Sequence, residues 1–178
     1  FQYASLRGIA SNRGYSFCVP PKELFGKQDA NVRNSDTTLY DCFTLHDMSV
    51  AVANSTQTIM ESGFAFDENL FNNCPDNVDL FGYFQSEKYF KHIEDEIRKD
   101  FTFNSELNSE VENFFNSYFG NGEVISLHIR RGDYTNNPNH PVQTLEYYSQ
   151  ALEKFNKDIP VIIFSSFSIS FFLLWKSL

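Results

Sequence analysis

Positive charge is scarce in this chain. Its 178 residues hold 14 Lys and Arg against 23 Asp and Glu, a formal net charge of −9, and the basic residues form no block. Nonspecific grip on a nucleic acid depends on neutralising many phosphates, so nucleic acid is excluded as a partner. Cysteine is sparse too. Cys18, Cys42 and Cys74 are odd in number and far apart, which suits reduced thiols better than a disulfide framework, although one pair stays open. That usage points to a reducing, cytoplasmic compartment. No Asp-x-Asp occurs, and His46, His92, His128 and His140 lack paired ligand spacing, so no metal site can be read. The opening FQYASLRGIASNRGYSFCVPP has no initiator Met, no basic start and no long apolar core, so it does not read as a signal peptide. The chain reads as beginning in mid-protein.

What is present suits a folded α/β protein with a real core: 42% of residues are hydrophobic and 17% aromatic, and one domain is the default count. Phe1, Leu6, Ile9 and Ala10 approach helical spacing and Gly14 closes the segment, so a helix is predicted there, then a short strand in YSFCVPP stopped by two prolines. From Gly26 to Asp79 the pattern is weakly periodic and reads as irregular strand and loop. A helix capped by Ser86 is predicted over LFGYFQSEKYFKHIEDEIRKDF, carrying Tyr89, Phe90, Ile93 and Ile97 on one side. A second runs through SELNSEVENFFNSYFG, with Leu107, Val111, Phe114, Phe115 and Tyr118 together and Gly120 at its end. The carboxylates Glu94, Asp95 and Glu96 then fall on a solvated face.

EVISLHI reads as a strand buried on both sheet faces, TLEYYSQALEKFNKD as a helix and PVIIFS as another buried strand. Strand, loop, helix, strand implies a parallel βαβ unit. The run from Ile159 to Trp175 carries no charge, near the lower limit of a membrane span, but four serines and a proline interrupt it. An anchor there would hold the chain at the inner face of a membrane as a peripheral protein.

HIRRGDY follows the first strand of that unit. Loops at the carboxyl ends of parallel strands are where α/β proteins bind ligands. Arg130 and Arg131 carry permanent, fork-shaped charges suited to a diphosphate, and Gly132 permits a sharp turn after them. His128 shares a strand face with Arg130, and Asp133 is placed to brace a guanidinium. Two plainer readings stand beside this one: a solvated arginine pair with a satisfied histidine, and an adhesion tripeptide at Arg131 to Asp133.

HIRRGDY, with NNPNHPVQTLEYYSQAL after it and FGYFQSEKYF before it, closely resembles the bacterial-type α-1,2-fucosyltransferases, glycosyltransferase family 11. The opening FQYASLRGIASNRG is similar to the continuation of that family's GNQMFQYA segment. Together these blocks cover most of residues 1 to 165. The resemblance implies a Rossmann-like lobe of a two-lobed, GT-B-like glycosyltransferase. It also implies inverting, metal-independent transfer of L-fucose from GDP-fucose to the 2-hydroxyl of a terminal galactose on an oligosaccharide acceptor, with no cofactor. Carried over by position, it makes Arg130 and Arg131 catalytic at the donor diphosphate. His128, Gly132, Asp133 and Tyr134 complete the substrate-binding loop, and no acceptor base is placed. It further implies truncation at both ends: residues 1–165 as an acceptor-side lobe, 166–178 as an aberrant apolar tail, and a nucleotide-binding lobe largely absent. Weak or no activity is expected of such a piece alone. The alternative is a non-catalytic sugar- or nucleotide-binding fragment of the same fold.

Overall fold

The computed structural model describes residues 1–24, 38–52, 54–55, 57–135 and 137–165, with the side chains of Thr38 and Asp133 outside that description. The stretch 166–178, expected to be aberrant or membrane-anchoring, lies outside it as well. Among the described residues no helix is long and apolar enough to cross a membrane. The chain divides into two units, residues 1–109 and 110–178.

The first unit is organised around α1 (Gln2–Arg13), which buries Tyr3, Ala4, Ser5, Gly8, Ile9 and Ala10. Small residues at Ala4, Ser5 and Gly8 let other backbone approach closely. A Cβ added to Gly8 would lie 2.1 Å from the Tyr89 carbonyl oxygen and 2.8 Å from Phe90 Cα. The predicted stop at Gly14 is present: it adopts φ 71°, and the N–H groups of Gly14 and Tyr15 reach the carbonyls of Ser11 and Ala10 at 3.2 and 2.9 Å. This is the paired bonding by which a left-handed glycine closes a helix.

Beyond α1 comes β1 (Cys18–Val19), the predicted short strand, which pairs in parallel with β2 (Ser49–Val50). The weakly periodic region is more ordered than its sequence suggests. It holds α2 (Thr38–Cys42), β3 (Gln57–Met60), α3 (Glu68–Asn73) and β4 (Val78–Phe81). β3 and β4 pair in parallel from Gln57 with Val78 to Met60 with Phe81. Asp67 caps α3, its side chain accepting from Leu70 N at 2.8 Å, while its own N–H donates to the Tyr89 hydroxyl at 2.8 Å.

The helix expected after Ser86 is broken into pieces. Ser86 does cap, but what it caps is a 3-10 turn (Glu87–Tyr89); a second turn (Lys91–Ile93) follows, and only then α4 (Glu94–Asp100). Phe90, at φ −134°, separates the turns, and here the segment bends around α1 at Gly8. Two apolar clusters result. Ile9, Leu70, Cys74, Phe84 and Tyr89 form one, with Ala4, Ile93 and Ile97 in the other. Glu94, Asp95 and Glu96 are exposed as expected, and Arg98 donates to Glu94 at 2.6 Å across one helical turn.

α5 (Ser105–Phe119) starts where the Asn104 side chain accepts from Leu107 N at 2.9 Å and stops before Gly120 at φ 60°. The second unit then follows the predicted order: β5 (Ile125–Ile129), a 3-10 turn (Gly132–Tyr134), α6 (Leu145–Leu152) and β6 (Val161–Ser165). Thr144 caps α6, accepting from Tyr147 N at 3.2 Å. β5 and β6 are parallel, Ile125 opposite Val161 and His128 opposite Phe164. β5 is not buried on both faces, however. Ile125, Leu127 and Ile129 are half-buried while Ser126 and His128 are exposed, the alternation of a sheet covered on one side. The chain is therefore mixed α/β, and its described strands form three two-stranded parallel sheets.

Candidate functional site

The arginine loop sits where the pattern places it. Arg130 and Arg131 directly follow β5, at the carboxyl end of a parallel strand. His128 and Arg130 are both exposed, as residues two apart on one face of an extended strand should be. The chain then turns. Tyr134 N and Thr135 N both donate to the Arg131 carbonyl, at 2.7 and 2.9 Å, and the Thr135 hydroxyl donates to it at 3.1 Å. Residues 131 to 133 thus belong to a bonded 3-10 turn and not to an extended tip, which disfavours the adhesion reading. Whether Asp133 braces a guanidinium falls outside the described side chains.

Two aromatic contacts were not legible from the motif. The Arg130 guanidinium carbon lies over the Tyr134 ring, 4.4 Å from its centroid. The same ring stacks on His140 at 4.8 Å and 16°. A guanidinium on a ring is held by cation–π attraction and its N–H donors point outward from the plane's edge. Arg130, Tyr134 and His140 are thereby brought together, while His128 stands apart on the strand beside exposed Phe164. Two neighbouring arginines in such a loop can bind a diphosphate and stabilise charge that develops on it.

The first unit holds a polar cluster that sequence reading missed entirely. Asp100 is 0% exposed, and a buried carboxylate is tolerated only when paired. Its Oδ2 accepts from the Tyr3 hydroxyl at 2.6 Å and from Arg7 Nη1. Its Oδ1 accepts from the His46 main-chain N–H at 3.0 Å and lies 3.4 Å from His46 Nδ1. Arg7 Nη1 also donates to the His46 carbonyl at 2.8 Å. Burial, aided by the bond to Asp100, pushes the Tyr3 phenol well above its ordinary value. Burial works to lower the Arg7 value, but its bonds to Tyr3 and Asp100 outweigh that and hold it charged. One signal was available: Asp100 continues the apolar stripe of Ile93 and Ile97, where a carboxylate needs a partner from elsewhere. A second carboxylate, Glu61, lies just past β3. It accepts from Tyr83 N and Phe84 N at 2.9 and 2.8 Å, and its other oxygen is buried without a hydrogen-bond partner among the described residues.

Comparison with known proteins bears on both units. Residues 22–171 match the model of glycosyl transferase family 11, so the chain belongs to that family. The galactoside alpha-(1,2)-fucosyltransferase 2 of Bos taurus is 28% identical over 93% of the chain and 48% of its own length. That of Sus scrofa is 26% identical over 93% of the chain and 49% of its own length. The chain thus spans about half the length of these relatives. No solved structure matches it. Among the described residues no group of three or more His, Cys, Asp or Glu is gathered as a metal site.

Proposed function

We propose that this chain is part of a fucosyltransferase that moves L-fucose from GDP-β-L-fucose to the 2-hydroxyl of a terminal galactose, with inversion and without a metal. The observation that carries the proposal is the family match over residues 22–171, which includes the arginine loop. The names of the two relatives, each a galactoside alpha-(1,2)-fucosyltransferase, support the choice of sugar and linkage. A GT-B-like, Rossmann-type architecture is part of the same proposal, supported by the parallel pairing of β5 and β6 around α6.

In this reading Arg130 and Arg131 hold the donor diphosphate, and Tyr134 steadies Arg130, whose guanidinium carbon lies over its ring. As the bond from fucose C1 to the β-phosphate oxygen lengthens, negative charge grows on that phosphate. Fixed guanidinium donors meet it without reorganising, the effect that lowers a barrier by a few kcal/mol, about 2.7–4 for a single well-placed donor. Arginine here does work that a cation does in other nucleotide-sugar sites.

The test is transfer of radiolabelled fucose from GDP-fucose to lactose without added metal, using this chain beside a version extended to its relatives' length. Activity is expected in the extended version. Arg131→Ala there should lower kcat by about 10²-fold or more, and Arg131→Lys should restore little, since a point charge lacks the fork. Absence of transfer in both versions overturns the proposal.

A further inference from the structure

An arginine side chain is long and loses much rotamer freedom when it grips a phosphate, so a group that holds the guanidinium in place beforehand strengthens the grip without touching the ligand. The loop after β5 contains such a device. We propose that His140 is a positioning residue for the donor diphosphate, backing Tyr134 and through it seating Arg130, an assignment that rests on the transferase reading above.

Every contact involved lies within the second unit. Arg130 stands just past β5 with its guanidinium carbon 4.4 Å from the centre of the Tyr134 ring. That ring stacks on His140, centroids 4.8 Å apart and planes 16° from parallel. The segment between the two rings is folded so that they meet. The Asn137 N–H donates to the Tyr134 carbonyl at 3.1 Å, and the His140 N–H donates to the Asn137 carbonyl at 3.1 Å. The Asn137 side chain accepts from Asn139 N at 3.0 Å. Pro138 and Pro141 follow Asn137 and His140 directly; each fixes its own φ and restricts the residue before it, which lowers the entropy lost in holding the turn. At its other end the turn is tied to the Arg131 carbonyl, which accepts from Tyr134 N, Thr135 N and the Thr135 hydroxyl.

Tyr134 is half-buried, whereas Arg130 and His140 are exposed. An exposed ring adds little to a core, so the effect of the stack falls on Tyr134 and on the guanidinium over it. Held from two sides, the tyrosine ring becomes a fixed seat, and Arg130 meets the phosphate from one place instead of searching for it. A stack asks for a flat ring and not for a charge or a proton, so phenylalanine should serve at position 140 and alanine should not.

The extended version, with GDP-fucose and lactose, tests this. His140→Ala should lower kcat about three- to tenfold, the scale of one aromatic pair, while the KM for lactose stays within about twofold, and His140→Phe should recover most of the loss. With Arg130→Ala already in place, the same change should alter kcat by less than about twofold, because the side chain it steadies is gone. An unchanged kcat for His140→Ala, or an equal loss in both backgrounds, overturns the proposal. Nitrogen relaxation of the Arg130 Nε–H group, read on this chain, needs no turnover. The group should move more in His140→Ala than in the parent and return to the parent's order in His140→Phe; equal order in all three overturns the proposal. Should His140→Ala fail to fold, a nuclear Overhauser contact between the His140 and Tyr134 rings of the unaltered chain supports the seat, and its absence overturns it. If the extended parent transfers no fucose, the transferase reading falls, and the relaxation measurement still decides whether His140 steadies Arg130.

Discussion

Alanine at position 8 sets two well-known effects against each other. Within a helix, Gly→Ala normally gains about 1 kcal/mol, and Gly8 lies inside α1. The new Cβ, however, would sit 2.1 Å from the Tyr89 carbonyl oxygen, 2.8 Å from Phe90 Cα and 2.9 Å from the Tyr89 carbonyl carbon. All three are main-chain atoms, so no rotamer change relieves the overlap. The separation has to grow by roughly 1 Å to reach ordinary contact, which lifts α1 away from residues 89 and 90. Such overpacking costs about 1–3 kcal/mol. The lift also loosens Ala4 and Ile9 in the two clusters and stretches the bonds from Tyr3 and Arg7 to Asp100. A main-chain overlap this deep falls at the upper end of that range, about 3 kcal/mol, so against the helix gain of about 1 kcal/mol the clash wins and Gly8→Ala is expected to destabilise by about 2 kcal/mol. Urea unfolding followed by far-ultraviolet circular dichroism should show a lower midpoint at unchanged slope. Gly63→Ala is the control, because a Cβ there meets nothing within 4 Å. A Gly8→Ala protein as stable as its parent would refute the close approach of α1 to the 89–90 backbone.

Two further outcomes follow from groups in the same unit. Leu70 N foremost, then the Ser62 hydroxyl, holds the Asp67 carboxyl below its usual range. Its contribution is therefore present above the unfolded pKa and lost as pH falls through the folded one. Asp67→Ala should cost about 1 kcal/mol near neutrality, and the gap in urea midpoint between parent and Asp67→Asn should close at acid pH; a gap that widens there would contradict the cap. Cys74 is buried, and burial pushes its thiol up while Arg13 pulls weakly the other way. In native protein, iodoacetamide should label half-buried Cys18 and Cys42 well before Cys74, and equal rates would show that this core opens freely.

Local punctuation made much of the fold readable. Gly14 and Gly120 mark helix ends, and the EVISLHI and PVIIFS runs on either side of a helical stretch fix a parallel pair, although so continuous an apolar run hid that one face of the first strand is uncovered. The segment from Ser86 to Asp100 was misread because Tyr89, Phe90, Ile93 and Ile97 recur at three- and four-residue steps. That spacing serves 3-10 turns and α-helix equally well, and only contact with Gly8 decides between them. The arginine loop was legible because strand and motif adjoin in sequence. The Asp100 cluster was not, because Tyr3 and Asp100 meet across 97 residues, a separation that periodicity cannot report. His140 was passed over for a similar reason: nothing about a lone histidine six residues beyond Tyr134 says that their rings stack.

The stacking of Tyr134 has a consequence for molecular recognition. With Arg130 over the ring and His140 stacked upon it, this tyrosine has little open π-surface to offer a nucleobase. What the ring supplies is a seat: the Arg130 guanidinium carbon stands 4.4 Å from its centre, as a peg rests against a stop. Replacing it with another flat ring should preserve that contact, whereas a branched aliphatic chain of similar bulk should not.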